Sequence, residues 1–401
     1  MTTTNTFAGK AVLTFAHVAG MVDMVALPVW IGLLVQHYGY NAQQAGITVT
    51  LFLAGVVAAS LCVSPNFNRW PRKAITTGGF ALAGLAFLLA ARQPVAVASF
   101  QTLALLHVLA GVGVGCGLSF AHGSIGRSAN PHRLFAVANV VLGVFAVLFL
   151  GGVPQLVQGV GATSFFIVCA VLMAVATVAV AVGFPQLEAT PSAASPAAAS
   201  PAPTAAPRIP APAWIAAGVV VCLTLNQAMV FSFVERIGID RGFGIDGVNG
   251  VLIALGLVNL TPGLLAALLQ KRLSPLTIGV LGPIGQAMLA LTIVNATSFA
   301  PYAVATCLYT FMVIFTHAFL FGLLARLDPS GRAVAATPAM MMIGSAIGPG
   351  LAGALVYGVG YHAVGWAATG VALIAVIAMT QVRRLLPGTA AMPVAAIAAR
   401  G

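Results

Sequence analysis

The chain has 401 residues, 60% of them hydrophobic and only 6% charged, with a formal net charge of +11 and a mean hydropathy of +1.04. A soluble domain carries about a quarter charged residues, so this chain lacks the polar surface to fold in water. Its basic excess forms no patch interleaved with aromatic residues, which argues against a nucleic-acid partner.

Apolar runs of about 20 residues, the length that crosses a hydrocarbon core, fall near 11–36, 42–63, 75–91, 96–121, 134–154 and 162–184. Six more fall near 213–234, 247–269, 276–296, 300–325, 334–358 and 360–382. The fold expected is all-α and integral to the membrane, with twelve transmembrane helices in two pseudo-symmetric six-helix bundles. MTTTNTFAGK leads straight into the first run without a small-residue cleavage pattern, so that span is expected to remain in the mature protein. Between the sixth and seventh runs lies PQLEATPSAASPAAASPAPTAAPRIPAP, almost wholly Pro, Ala, Ser and Thr. Each proline removes an amide donor and clashes with the preceding turn, so this segment reads as an extended tether. The organisation expected is a six-helix bundle at 1–184, a cytoplasmic linker at 185–212, a second bundle at 213–386 and a cytoplasmic tail at 387–401.

The position of the charges fixes an expected orientation. With both termini inside, 14 of the 17 Lys and Arg residues are cytoplasmic, and only Arg92, Arg236 and Arg241 are outside. Basic residues near span ends are retained on the cytoplasmic side, so a multi-pass inner-membrane protein with cytoplasmic termini is expected. Cys62, Cys116, Cys169, Cys222 and Cys307 fall one to a run without metal-ligand spacing, and Met340, Met341 and Met342 point in three directions around a helix. No metal site is expected from either set.

Three landmarks recur in order. Tyr38-Gly39-Tyr40 is answered by Arg241-Gly242-Phe243, an offset of 242 − 39 = 203. Arg69-Trp70-Pro71-Arg72-Lys73 is answered by Lys271-Arg272-Leu273-Ser274-Pro275. Asn130-Pro131-His132-Arg133 is answered by Asp328-Pro329-Ser330-Gly331-Arg332, where 329 − 131 = 198. Duplicated halves of this kind carry a substrate site near the bilayer midplane and rock about it.

The loop from Ser64 to Lys73 resembles the signature G-x-x-x-D-R-x-G-R-[RK] between helices two and three of the major facilitator superfamily. Arg69, Arg72 and Lys73 match; Asn68 replaces the Asp, Ser64 the first Gly and Pro71 the second. The resemblance covers nearly the whole chain and implies a cytoplasmic gate at Asn68, Arg69, Arg72 and Lys73. It also implies a secondary transporter working by alternating access, with no catalytic residues and no cofactor beyond a proton gradient. A small-molecule substrate, the lipid bilayer as surroundings and a monomeric state complete the expectation.

Candidate site residues come from polar groups that the bilayer makes costly. Asp23, read as the only acid deep in a span, lies in Val22-Asp23-Met24-Val25-Ala26-Leu27-Pro28, which is similar to the first-helix Asp-to-Pro pattern of drug/proton antiporters. By the 203 offset its counterpart is Asn226, followed by Gln227. His107 stands where that family often places Arg before a glycine-rich face, here Gly111, Gly113 and Gly115. The resemblance implies that Asp23 and His107 couple a proton, with glycine clearing space beside the imidazole. Asn226, Gln227, His317, Asn139 and Gln286 are expected to contact substrate, while interhelix hydrogen bonds explain several of them equally well. His17, six residues before Asp23, is rotated about 240° from it and is not expected on the same cavity. Gly151-Gly152-Val153-Pro154 departs from the antiporter motif of helix five. With no Lys or Arg deep in a span, a neutral or cationic compound is expected rather than an anion. Proton-coupled export is the first reading, symport the alternative, and a channel-like facilitator the reading of another class.

Overall fold

The computed structural model describes residues 3–95, 98–187, 209–328, 333 and 337–386. Most of the tether, the tail from 387, and Arg208, Arg332 and Arg400 lie outside the described residues. The described helices are α1 (Phe7–Gly20), α2 (Val22–Gln36), α3 (Ala42–Val63), α4 (Arg72–Ala91), α5 (Phe100–Gly126), α6 (Pro131–Val160) and α7 (Thr163–Gly183). The second half holds α8 (Ala211–Phe231), α9 (Val234–Asp240), α10 (Ile245–Val258), α11 (Pro262–Leu269), α12 (Pro275–Asn295), α13 (Phe299–Leu327), α14 (Thr337–Gly358) and α15 (Tyr361–Leu385). They form twelve stretches long and apolar enough to cross a membrane.

Local chemistry sets the helix ends. Thr6 caps α1 by accepting from the Gly9 amide at 3.2 Å. Asn41 and Gln44 cap α3 reciprocally, the Gln44 amide donating to Asn41 Oδ1 at 2.8 Å and the Asn41 amide to Gln44 Oε1 at 3.1 Å. The repeat reappears in the turns: Gly39 and Gly242, the pair offset by 203, have φ of 66° and 76°, a region that glycine enters without a Cβ penalty.

Three spans are interrupted. The first breaks at Met21 (φ −107°, ψ 21°), whose amide still donates back to His17 O at 3.0 Å. Pro28 lacks an N–H, so the Met24 carbonyl loses its donor from the next turn. The seventh breaks at Ser232 and Phe233, where Ser232 Oγ donates to Ala228 O, and resumes as α9. It was expected to end at Val234 and instead continues to Asp240. The eighth pauses between Val258 and Pro262.

Lipid is as apolar as leucine, so helix association in a bilayer rests on close packing and interhelix hydrogen bonds. In the first half Trp30 packs at ring-centroid distances of 5.1–5.8 Å on Phe52, Phe87, His107 and Phe165. In the second half, Tyr302 and Tyr309 donate to Val234 O and Asn226 O, each at 2.7 Å.

Contact between the halves is closest at the end away from the termini. A Cβ on Gly46 of α3 would strike Pro349 O of α14, and one on Gly353 would strike Ala42 O. The Gly350 amide donates across this seam to Thr50 Oγ1 at 2.8 Å. On the other side, Gly256 of α10 backs onto Val147 of α6, and Gly143 of α6 onto Leu260.

Candidate functional site

Asp23 sits in the first turn of α2, directly after the break, and is 3% exposed. The Met24 amide donates to Met21 O at 3.1 Å, and the carboxyl oxygen Oδ1 is buried without a partner. A carboxylate at the centre of a span costs about 2.5–3.5 kcal/mol on insertion scales. An unpaired oxygen at a break in mid-span is therefore a place for a proton, a water or a substrate donor.

His107 is 1% exposed and has both ring nitrogens occupied. Nε2 accepts from Trp30 Nε1 at 3.0 Å, and Nδ1 lies 2.6 Å from Leu103 O. An indole N–H can only donate, so the ring is the neutral tautomer with its hydrogen on Nδ1. A second ring proton would set two N–H groups against each other. Trp30 lies seven residues beyond Asp23 on nearly the same face of α2, about 10 Å along the axis. Asp23 and His107 therefore serve one helix face at different heights, and no hydrogen bond joins them among the described residues. The glycines after His107 do not clear space for the imidazole as expected. A Cβ on Gly111 or Gly115 would strike Phe52 O or Val56 O of α3, and one on Gly113 would strike Gly79 O of α4. Their function is backbone approach between helices.

In the second half, Asn226 donates to Ala368 O of α15 at 2.9 Å, and Gln286 of α12 donates to Leu223 O at 3.0 Å. Each leaves its carbonyl oxygen unpartnered. These amides tie α8 to its neighbours within the bundle. Gln227 is buried one position on, on the face of α8 that also carries Phe231. His317 stacks on Phe321 at 5.6 Å, with Nε2 buried and unpartnered. Asn139 is exposed on α6 and donates to Phe135 O of its own helix at 2.9 Å.

The signature loop closes on its own half. Phe67 stacks on Phe120 of α5 at 5.6 Å, with the Arg72 and Arg127 guanidinium groups 5.5 and 5.4 Å from its ring centre. Asn68, Arg69 and Lys73 are exposed. Arg72 and Lys73 also line a groove of about 860 Å³ between the ends of α4 and α7, outside the seam between the halves.

Two features escaped sequence reasoning. Glu235 is a second buried acid within a span, 8% exposed in the first turn of α9 and five residues before that span ends at Asp240. The span boundary had been drawn one residue too early to include it. The clue was Arg236 and Asp240, an i, i+4 ion pair that marks continuing helix. The other is His122 of α5, whose Nε2 lies 2.8 Å from Nδ1 of His17, with Phe135 edge-on to both rings. No spacing in the sequence joins these histidines, because only the antiparallel packing of α1 on α5 does so.

The profile of the Major Facilitator Superfamily matches residues 12–337. Two of the solved structures that share the fold are transporters of xylose. A D-xylose-proton symporter superposes with a TM-score of 0.68 at 14% identity, over 95% of this chain and 98% of that one. The xylose transporter XylE from E. coli, in a partially occluded inward-open conformation, gives 0.67 at 12% identity over 95% and 99%. At such identities the likeness shows the fold alone. No curated protein matches the chain in sequence.

Proposed function

This chain belongs to the major facilitator superfamily and is a membrane transporter, and from that premise we propose that it carries a small neutral or cationic organic molecule by alternating access, driven by protons through Asp23. The observation that carries the reading is the Asp23 carboxyl, buried at a break in the first span with Oδ1 unpartnered. Neutralising it removes the cost of a mid-span charge, so its protonation state can bias which way the halves close. No Lys or Arg stands in mid-span to meet an anionic substrate.

Export is the first direction, on the similarity of the Asp23-to-Pro28 segment to drug/proton antiporters. Symport is the second, because the solved transporters that share the fold include one described as a D-xylose-proton symporter. The distribution of positive charge supports cytoplasmic termini, and we assign the protein to the inner membrane as a monomer.

The test begins with a thermal-shift screen of the purified protein against metabolites and antibiotics, since a ligand that binds the folded state stabilises it by mass action. Proteoliposomes are then given opposite pH gradients with the hit compound. Antiport requires compound to move against the proton, symport with it. If Asp23→Asn leaves gradient-driven movement intact, the role assigned to Asp23 is wrong.

A further inference from the structure

A water-sized cavity of about 30 Å³ lies in the seam between the halves, at the end away from the termini. Its wall includes Gln36 of α2 and His37 just after it, Gln158 of α6, Glu235 of α9 and Asn249 of α10, so both bundles contribute. Glu235 Oε2, Asn249 Nδ2 and Gln36 Nε2 are buried without partners. One acceptor and two donors around a space of one water's volume form a set that a single water completes. The other carboxyl oxygen lies against Gly32, where a Cβ would come within 2.7 Å of Oε1. Since 235 − 32 = 203, the duplicated position supplies the smallest side chain where the acid needs room.

The charged groups around Glu235 are committed elsewhere. On its own helix Arg236 pairs with Asp240, which also accepts from Tyr361 at 2.6 Å. Arg241 donates to Val294 O at 2.7 Å. On α13, Tyr302 gives its hydroxyl hydrogen to Val234 O. His37 stands exposed at the rim beyond α2, and Asp246 of α10 is exposed. The parts of α6 and α12 that pack here bring no titratable group.

We propose that Glu235 is a second proton-binding site, reached through this cavity from the end of the protein away from its termini, and that its protonation lets that end close. A neutral acid can stay in the shut seam with one water. A carboxylate without a counter-ion is costly there, and parting the halves admits the water that relieves it. Raising the pH therefore opens this end. The site is separate from Asp23 and does not depend on the direction of transport.

The test uses the full chain in lipid nanodiscs, with native cysteines replaced and spin labels at Val160 and Tyr357, exposed positions on opposite halves at this end. In the otherwise native protein the ratio of long to short distances should rise with pH, about tenfold per unit around its midpoint, the slope of one linked proton. Glu235→Gln should hold the short distance at every pH, Glu235→Asp should retain the slope, and Asp23→Asn should retain it too. A distance ratio flat with pH in the native sequence, a Glu235→Gln variant that titrates normally, or loss of the slope in Asp23→Asn alone each overturns the proposal. The last result would leave Asp23 as a coupling residue, whereas gradient-driven transport surviving in Asp23→Asn would strike that reading and leave this one standing.

Discussion

Replacing Gly46 by alanine should unlatch the end of the protein at which the halves touch. The added Cβ meets the Pro349 carbonyl oxygen, has its carbon at 2.9 Å and faces Gly353 Cα at 3.2 Å. All three atoms are backbone, so no side chain can swing aside, and α3 and α14 must part. Overpacking a fitted contact costs about 1–3 kcal/mol. The cost falls only on the arrangement with this end shut, because Gly46 is free of Pro349 once the halves separate. At about 1.4 kcal/mol per tenfold, the shut-to-open ratio should fall by roughly 5- to 150-fold. The Gly350-to-Thr50 hydrogen bond across the seam is lost in the same step. Labels at Val160 and Tyr357 read the change as growth of the longer distance. Gly78→Ala is the control, since a Cβ there meets nothing within 4 Å. A Gly46→Ala protein that folds normally and keeps the distance distribution of the parent would refute the assignment of this contact as a closing surface.

Trp30→Phe removes the only donor to His107 Nε2 and should lower thermal stability by about 1 kcal/mol, between the mean for interhelix bonds in membranes and the penalty for a stranded buried acceptor. A double-mutant cycle with His107→Leu should show coupling of similar size, while the pH dependence of transport stays as in the parent. Phe67→Leu removes the ring between Arg72 and Arg127, each contact contributing about 0.5–1 kcal/mol, and should raise proteolysis of the 64–71 loop without changing the distances at the opposite end. Burial pushes the Tyr38 hydroxyl up to about 12, and burial followed by the neighbouring Tyr38 charge does the same for Tyr40. Both lie in the turn after the first span. The unfolded chain ionises near 10 and the folded one later, so their contribution to stability is complete below about pH 10 and lost by about pH 12. Tyr38→Phe should reduce that alkaline loss in a denaturation series.

Hydropathy made the spans legible because each must satisfy its backbone internally and present apolar atoms to lipid. The second span, expected at 42–63, is Ala42–Val63 in the structure. The seventh was misplaced because Glu235 and Arg236 look like loop residues until Asp240 is seen to neutralise the arginine one turn on. Asp23 stood out from sequence since a lone acid among apolar neighbours breaks the pattern. What each polar side chain touches was not legible. Nothing in the sequence distinguishes Asn226, which reaches Ala368, from a substrate ligand, because the partner is a backbone carbonyl 142 positions away. His107 was read through a family position usually held by arginine, yet an imidazole offers an acceptor that arginine lacks, and Trp30 takes it.

The interruption at Met21 lies between two pins on a single strut. His17, below it on α1, is fastened to His122, and Trp30, above it on α2, is fastened to His107; both histidines belong to the unbroken helix α5. A joint clamped on both shoulders cannot telescope or splay, so what freedom it has is a local swivel of the peptides around Asp23. The acid is thereby suspended at the one pliable spot on an otherwise braced column, where the proton exchange proposed for it would be felt by the backbone without loosening the bundle that carries it.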